Sequence, residues 1–251
     1  MTDVTMPVWA GEGLGDYDAV ERPRVGGAGR GRLEALLQRA RDGWGLVREG
    51  NGGAVADAIR TRLASETLAI GLRRDLTLLH PAPPAAMPLV VRPLRPDDDL
   101  GFLDAAAGLP VEAARARAAQ RRLVAAKLPT CWIALAPDGR PCYMQWLILP
   151  RDNARIRARW GDLFPALRAD EALLEGAYTA ESARGQGIMA HAMARIAAEA
   201  SCLGARWVVT FVGADNAASL KGCRKAGFTP YLERRESWRL FRRRVRCTPL
   251  S

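Results

Sequence analysis

An arginine and two glycines stand where a strand-like run gives way to a helix-like run. Residues 172–179 are apolar, Arg184-Gly185-Gln186-Gly187 forms a short turn, and residues 188–202 have the composition of a helix. Glycines at such a junction let the backbone bend tightly and bring its N–H groups close to a ligand. The unpaired amides of a helix's first turn, at the positive end of its dipole, favour an anion. The pattern predicts a binding site for a phosphate group.

The residues that follow exclude two common phosphate-binding loops. The loop of nucleoside-triphosphate-binding proteins ends in Gly-Lys-Ser or Gly-Lys-Thr, whereas Ile188 and Met189 follow the second glycine here. A dinucleotide-binding fingerprint has three glycines and an acidic residue about twenty positions further on, at the end of the next strand. This turn has two glycines at the required spacing, and no carboxylate ends the strand-like run over residues 206–212.

A second group of residues follows the helix-like run. Residues 205–212 are rich in β-branched and aromatic residues, which is typical of a buried strand. Asn216 opens a predicted helix, Ser219 stands three positions later, and Lys225-Ala226-Gly227-Phe228 closes it. Asp215 or Asn216 can cap the helix by accepting its free amides, and Gly227 can supply the left-handed exit. Capping explains each residue alone, but the order strand, turn, helix, strand, Asn helix and Gly-Phe strand rarely arises by chance.

Together the two motifs resemble those of the GNAT superfamily of N-acetyltransferases, which bind acetyl-coenzyme A. The resemblance covers residues 89 to about 247 and implies an α/β fold of the mixed α+β kind, a twisted mixed sheet of six to seven strands flanked by helices. It implies that amides of the turn hold the pyrophosphate, that Asn216 contacts the pantetheine arm, and that amides near Tyr178 contact the thioester. Met189 stands where the family usually has glycine or alanine. The residues predicted to bind acetyl-coenzyme A are Tyr178, Thr179, Arg184, Gly185, Gln186, Gly187, Ile188, Met189, Asn216 and Ser219.

Glu175 is the predicted catalytic base. The resemblance implies that a glutamate on this strand receives the proton of the attacking amine, usually through water. Strict alternation of side chains along a strand predicts that Glu175, Ala177 and Thr179 share one face. A carboxylate in an apolar strand is costly to bury unless it is paired or functional, so an ion pair with an arginine is the alternative.

Cys223 is the predicted acid for the departing thiolate. It occupies a position seven residues after the motif asparagine, where the family often has a tyrosine, and a thiol with an ordinary pKa of about 8.5 can donate a proton. A small cysteine of the core is the favoured interpretation of this residue, and Cys223 is the candidate acid if the thiol has a catalytic role, because small core cysteines are common. Tyr178 is a second candidate acid if its side chain points into the cleft. Gln145 and Trp146, on an earlier strand, are candidates for the wall of the acceptor site.

A proline-rich segment, residues 81–88, is the predicted domain boundary, because it cannot continue a helix and reads as a stiff linker. It separates an N-terminal extension, residues 1–85, from an acetyltransferase domain, residues 88–251. The extension is predicted to be small and mainly helical. It has a Gly-rich start, helical spacing over residues 33–41 and 54–64, and an apolar, strand-like run over residues 66–72.

Composition limits the cell compartment and the partners. The 251 residues are 49% hydrophobic and 25% charged, which is ordinary for a globular protein. No apolar run approaches the roughly 20 residues that cross a bilayer. Five scattered cysteines and two histidines predict neither a disulfide framework nor a metal site, and they favour a cytoplasmic protein. The net charge of +10 lies after residue 88, with arginines clustered over residues 234–246, but solvated strand edges explain this cluster better than a nucleic-acid groove.

Three functions follow from these patterns. The favoured one is an acyl-coenzyme A-dependent N-acyltransferase that moves an acetyl group from acetyl-coenzyme A, without a metal, to a primary amine by direct attack in a ternary complex. The second is a non-catalytic binding or regulatory protein with the GNAT fold, because Met189 and Cys223 replace more usual residues. The third is a basic nucleic-acid-binding protein. The sequence does not identify the amine acceptor, and it leaves homodimerisation open.

Overall fold

The computed structural model describes residues 59–104, 108–126, 128 and 130–250. Of these, residues 67–236 and 245–250 belong to one compact unit, and residues 59–66 and 237–244 belong to a second. The Gly-rich start, the helix predicted over residues 33–41 and the first half of the helix predicted over residues 54–64 lie outside the described residues.

Eight strands and four α-helices follow one another along the described residues. Single-turn 3-10 helices at Gly101–Leu103, Pro150–Asp152 and Glu181–Ala183 join some of them. Among the described residues, no helix combines the length and apolar character needed to span a bilayer. The elements are β1 (Ala64–Asp75), β2 (Val90–Pro93), α1 (Val111–Ala125), β3 (Cys131–Leu135), β4 (Pro141–Ile148), α2 (Asn153–Trp160), β5 (Glu171–Thr179), α3 (Ile188–Cys202), β6 (Trp207–Gly213), α4 (Ala217–Lys225), β7 (Thr229–Arg239) and β8 (Arg242–Pro249).

The strands form one mixed sheet in the order β2-β3-β4-β5-β6-β1-β7-β8. Neighbours from β2 to β5 pair antiparallel, whereas β5 and β6 pair parallel. The predicted mixed sheet flanked by helices is confirmed. It has eight strands rather than six to seven, because β1, which precedes the proline-rich segment, joins it.

Strand β1 lies inside the sheet, between β6 and β7. Its seven-residue antiparallel register with β6 runs from Ala69 opposite Gly213 to Asp75 opposite Trp207. The side chain of Arg74 is buried and donates to the carbonyl oxygens of Ala226 at 3.0 Å and His80 at 2.9 Å. The strand predicted over residues 66–72 is therefore present and longer than expected. The domain division at residues 85–88 stays a prediction, although β1 lies on the other side of it from the rest of the sheet.

The core has two parts, one on each face of the sheet. Strand β4 shows the division, because its Tyr143 and Leu147 belong to one cluster and its Trp146 and Ile148 to the other. The first cluster packs against the small, buried alanines of α3, which let that helix lie close to the sheet. The second contains residues of α1 and α2. Both faces of β4 and β5 are therefore covered.

The second unit contains the turn between β7 and β8. Leu240 and Phe241 both have positive φ angles, of 48° and 62°. Their amides donate to the carbonyl oxygens of Leu63 and Arg62 at 3.0 and 2.8 Å. The guanidinium of Arg62 also lies over the ring of Trp238, 5.9 Å from its centroid. These contacts hold the turn against the short helical segment at residues 59–63.

Candidate active site

A bulge in β5 interrupts the alternation of its side chains. Gly176 has a φ of +67°, and the register between β4 and β5 shifts between Met144 and Trp146. A side chain at Gly176 would not fit, because its Cβ would lie 2.8 Å from the Trp146 ring. The left-handed backbone and the close approach of the ring both require glycine at this position.

The bulge corrects the predicted face of Glu175. Leu174 and Ala177 contact the α3 side of the core, whereas Leu173 and Tyr178 belong to the opposite cluster. Glu175 is within electrostatic range of Arg234, whose guanidinium lies 4.7 Å from the ring centroid of Phe211 in that same opposite cluster. The expectation that Glu175 and Ala177 share a face is wrong, because the extra residue at the bulge shifts the alternation.

Strands β5 and β6 enclose a cavity beyond their paired segment. Their parallel register covers residues 171–173 of β5 and 207–209 of β6. Past this segment, three consecutive residues from each strand line what we term the central cavity, together with residues of β4, α3 and α4. Its lining residues are Gln145, Glu175, Gly176, Ala177, Met189, Met193, Thr210, Phe211, Val212, Asn216, Ser219 and Cys223.

Glu175 is the acidic group of the central cavity. Only 5% of the residue is exposed. Burial raises its pKa to about 7, against the opposing attraction of Arg234. Arg234 itself is buried and donates to the carbonyl oxygen of Leu163 at 3.3 Å, so this member of the arginine cluster is not on a solvated strand edge as expected. A carboxylate with this pKa is part ionised at neutral pH and suits proton transfer.

The turn before α3 presents unengaged backbone amides. Gly185 and Gly187 have φ angles of 80° and 74°, and α3 begins at Ile188. Among the hydrogen bonds of the described residues, none is donated by the amides of residues 185–189. A Cβ at Gly185 would meet nothing within 4 Å, so this side of the turn is open. The phosphate cradle stays a prediction; amides without a partner at the start of a helix are the feature that an anion site needs.

Asn216 and Ser219 lie together at the start of α4. The side-chain oxygen of Asn216 accepts the amide of Ser219 at 3.0 Å, which confirms the predicted cap. Asn216 is buried, and its side-chain nitrogen has no hydrogen-bond partner among the described residues. Because both residues line the central cavity, this nitrogen is a donor that a bound molecule can use.

Cys223 lies in the wall of the central cavity. It is fully buried, and its sulfur is 3.8 Å from that of Met193. Burial raises the pKa of its thiol to about 12. Met189, on the same side, lies against α4, where its sulfur is 3.3 Å from the position of a Cβ at Gly222. The glycine at position 222 thus makes room for the methionine at 189.

The side chain of Tyr178 is engaged outside the central cavity. Its hydroxyl donates to Glu181 at 2.7 Å, and the same carboxylate receives Arg117 at 2.7 Å. The ring stacks on Phe102 with 5.9 Å between centroids. Burial raises the pKa of Tyr178 to about 12. Tyr178 does not line the central cavity, so its side chain does not meet the condition for an acid, which was that it points into the cleft. The predicted contacts of the Tyr178 and Thr179 backbone with acetyl-coenzyme A remain predictions.

Sequence reasoning found part of the cavity wall. It singled out Gln145, which is buried and accepts the hydroxyl of Tyr143 at 2.7 Å. It missed Gly176, although an isolated glycine in a strand-like run is a signal for a bulge. It also missed the wall residues of β6 (Thr210, Phe211 and Val212), which differ in no visible way from ordinary core residues.

Comparisons with known proteins address the family of the chain. The family model described as "Acetyltransferase (GNAT) domain" matches residues 88–229, more than half of the 251 residues. No curated protein matches the chain significantly.

Similar solved structures include a GNAT-family acetyltransferase from Colwellia psychrerythraea, with 15% identity, a TM-score of 0.43, and coverage of 80% of this chain and 62% of that one. A GCN5-related N-acetyltransferase from Sphaerobacter thermophilus has 13% identity, a TM-score of 0.43, and coverage of 78% of this chain and 56% of that one. The matches thus span less than two thirds of these two structures. The family model includes both motifs on which the resemblance rested, and the chain belongs to the GNAT acetyltransferase family.

Proposed function

We propose that the protein is an N-acetyltransferase that moves an acetyl group from acetyl-coenzyme A to a primary amine by direct attack in a ternary complex. One observation carries the proposal: the cavity between the diverging strands contains a buried carboxylate with a pKa of about 7. Membership of the GNAT family supports acyl transfer in general. The choice of acetyl group, amine acceptor and residue roles is our proposal.

The residues around the cavity fit coenzyme A. The unengaged amides of residues 185–189 and the positive end of α3 would hold the diphosphate. Asn216, with its unused side-chain nitrogen, would contact the amide-bearing pantetheine arm. Acetyl-coenzyme A supplies an activated thioester, so the protein needs no covalent intermediate of its own. Orientation of two reactants can contribute effective molarities of about 10⁵ M or more.

Glu175 is the proposed base. Its ionised form would accept the proton of the amine, directly or through a water molecule, as the amine attacks. A pKa of about 7 places this carboxylate near the optimum for a base that works at neutral pH. Arg234 limits the rise of the pKa that burial causes, so that the carboxylate is still ionised in the neutral range.

A charge substitution in the turn tests the binding of the diphosphate. We expect Gly185→Asp to weaken coenzyme A binding at least about tenfold relative to Gly185→Asn, because its carboxylate would repel the diphosphate across the open side of the turn. The two variants have nearly the same shape and the same positive φ, and therefore share any strain. Isothermal titration calorimetry with coenzyme A and acetyl-coenzyme A measures the difference.

Turnover is then measured as thiol release with a panel of primary amines. If the wild-type protein binds neither coenzyme A nor any acyl-coenzyme A, the proposed function is wrong. Binding without turnover on any amine would instead favour a non-catalytic protein of the same family.

A thiol substitution tests the predicted role of Cys223. The thiol of Cys223 has a pKa of about 12, whereas a thiol of ordinary pKa has a value of about 8.5. Proton transfer from Cys223 to a departing thiolate is therefore uphill by about three to four pKa units. We therefore expect Cys223→Ala to lower kcat by less than about tenfold, through lost packing alone. Cys202→Ala, at an exposed thiol, is the matched control. A fall of about a hundredfold in kcat, with a changed alkaline limb of the pH profile, would instead establish Cys223 as the acid.

A further inference from the structure

The proline-rich segment contacts the turn that presents the unengaged amides. We name residues 81–87 the strap. They precede the residues that the family model matches, and they belong to the same compact unit as the turn. Ala82, Ala85 and Met87 of the strap pack against the α3 side of the core. The strap therefore crosses the surface of α3 on its way from β1 to β2.

One hydrogen bond fixes a peptide group of the turn. The amide of Ala86 donates to the carbonyl oxygen of Gln186 at 2.9 Å. That carbonyl and the amide of Gly187 belong to one planar trans peptide unit, so they point in opposite directions. Because the strap holds the carbonyl on its own side, the Gly187 amide is directed away from the strap.

Two further contacts keep the strap close to the turn. The ring Nδ1 of His191, one turn into α3, lies 2.9 Å from the carbonyl oxygen of Pro83. The carbonyl oxygen of Pro84 lies 3.1 Å from the position that a Cβ of Gly187 would take. The absence of a side chain at Gly187 thus allows both the left-handed turn and the close approach of the strap. The role of His191 is to hold the strap, which the sequence did not indicate.

The start of the strap is anchored at the far end of α4. Arg74 donates to the carbonyl oxygen of His80 at 2.9 Å and to that of Ala226, at the end of α4, at 3.0 Å. The His80 ring covers Gly227 so closely that a Cβ there would lie 2.7 Å from it. Three prolines (81, 83 and 84) restrict the strap, and Pro88 directly follows it, so little conformational entropy is lost when the strap is held in place.

We propose that the strap is a positioning element for the phosphate turn and that it sets the affinity for donors that carry a diphosphate. The inference rests on the proposed function, because it assumes that the turn binds the diphosphate of coenzyme A. Ala86 and His191 are positioning residues in this proposal, since they act through the backbone of residues 186–188 and not on the reacting atoms.

Removal of one amide tests the strap. Ala86→Pro lacks the N–H that bonds to Gln186, whereas Ala86→Ser retains it and is the matched control. We expect Ala86→Pro to raise the Kd of coenzyme A about three- to tenfold, the range for one lost hydrogen bond. The Kd for acetyl-pantetheine, which lacks the diphosphate, should stay within about twofold of the wild type. Calorimetry with both compounds on the full chain measures this difference.

His191 offers a second, independent test that leaves the strap unaltered. His191→Ala should weaken coenzyme A binding in the same selective manner, and His191→Asn, with an amide nitrogen near the place of Nδ1, should restore it. Equal losses for coenzyme A and acetyl-pantetheine, or unchanged binding in both Ala86→Pro and His191→Ala, would overturn the proposal. Absence of binding by the wild-type chain would overturn the proposed function instead, so the two failures are distinct.

Discussion

We expect Glu175→Gln to lower kcat by about 10²- to 10⁴-fold, the usual contribution of a general base, and to change the Kd for coenzyme A by less than about threefold. The amide has nearly the shape of the carboxylate but cannot accept the proton. Glu171→Gln is the matched control, since it makes the same change at the start of the same strand, where the carboxylate pairs with the exposed Arg168 at 2.8 Å. A Glu175→Gln variant that retains more than a tenth of the wild-type kcat would remove the assigned base.

The same residue predicts a pH dependence. Because the ionised carboxylate is the proposed proton acceptor, kcat/KM of the wild type should rise with pH, with a midpoint near the Glu175 pKa of about 7. The residual kcat/KM of Glu175→Gln should not show this rise with pH.

The free energy of unfolding should change with pH in the direction opposite to kcat/KM. The folded-state pKa of Glu175 lies above its ordinary value of 4.5, so its contribution to stability is full below pH 4.5 and is lost as the pH rises through about 7. Relative to Glu175→Gln, the wild type should therefore lose about 3 kcal/mol over this window, at about 1.4 kcal/mol per pKa unit. Urea unfolding of both proteins at pH 4.5, 6 and 8 measures the difference.

Deletion of residues 1–87 should prevent cooperative folding. The shortened chain would keep the whole region matched by the family model, yet it lacks β1, which lies between β6 and β7. Without β1, seven residues of β6 would lose their pairing partners, and the buried side chains of Leu72 and Arg74 would be missing from the core. Such a loss is large against the total stability of a typical domain, about 5–15 kcal/mol.

The control is a chain that begins at Ile59 and so retains β1 and the strap. Circular dichroism and thermal unfolding distinguish the two proteins, and we expect a sharp transition in the control alone. A sharp transition in the chain that begins at Pro88 would show that the domain division predicted at residues 85–88 marks an independent folding unit.

The sequence predicted those parts of the fold that neighbouring residues determine. The helix predicted over residues 188–202 matches α3, because the left-handed Gly187 immediately precedes its first residue and an apolar face follows. Asn216 caps α4 as predicted, since a cap depends only on the next three residues. The order of the motifs was enough to identify the family.

The rest depends on contacts between residues that are distant in sequence. The face of Glu175 follows from the bulge at Gly176, which exists because the Trp146 ring of the neighbouring strand occupies the space of a side chain. Strand β1 lies beside β6 because the two strands pair, and no local sequence pattern specifies the pairing partner of a strand. The contact of the strap with Gln186 likewise joins residues that are distant in sequence.

The place of β1 also has a consequence for synthesis on the ribosome. Its pairing partners lie about 130 to 145 residues further along the chain, from Trp207 to Gly213. At about 5–20 residues per second, β1 waits roughly 7 to 30 seconds for these partners to be made. Native contacts of such long sequence separation form slowly, and an unpaired apolar strand is prone to associate with other chains. A nascent chain of this protein therefore has an unpaired β1 throughout the time that its ribosome needs to reach β6.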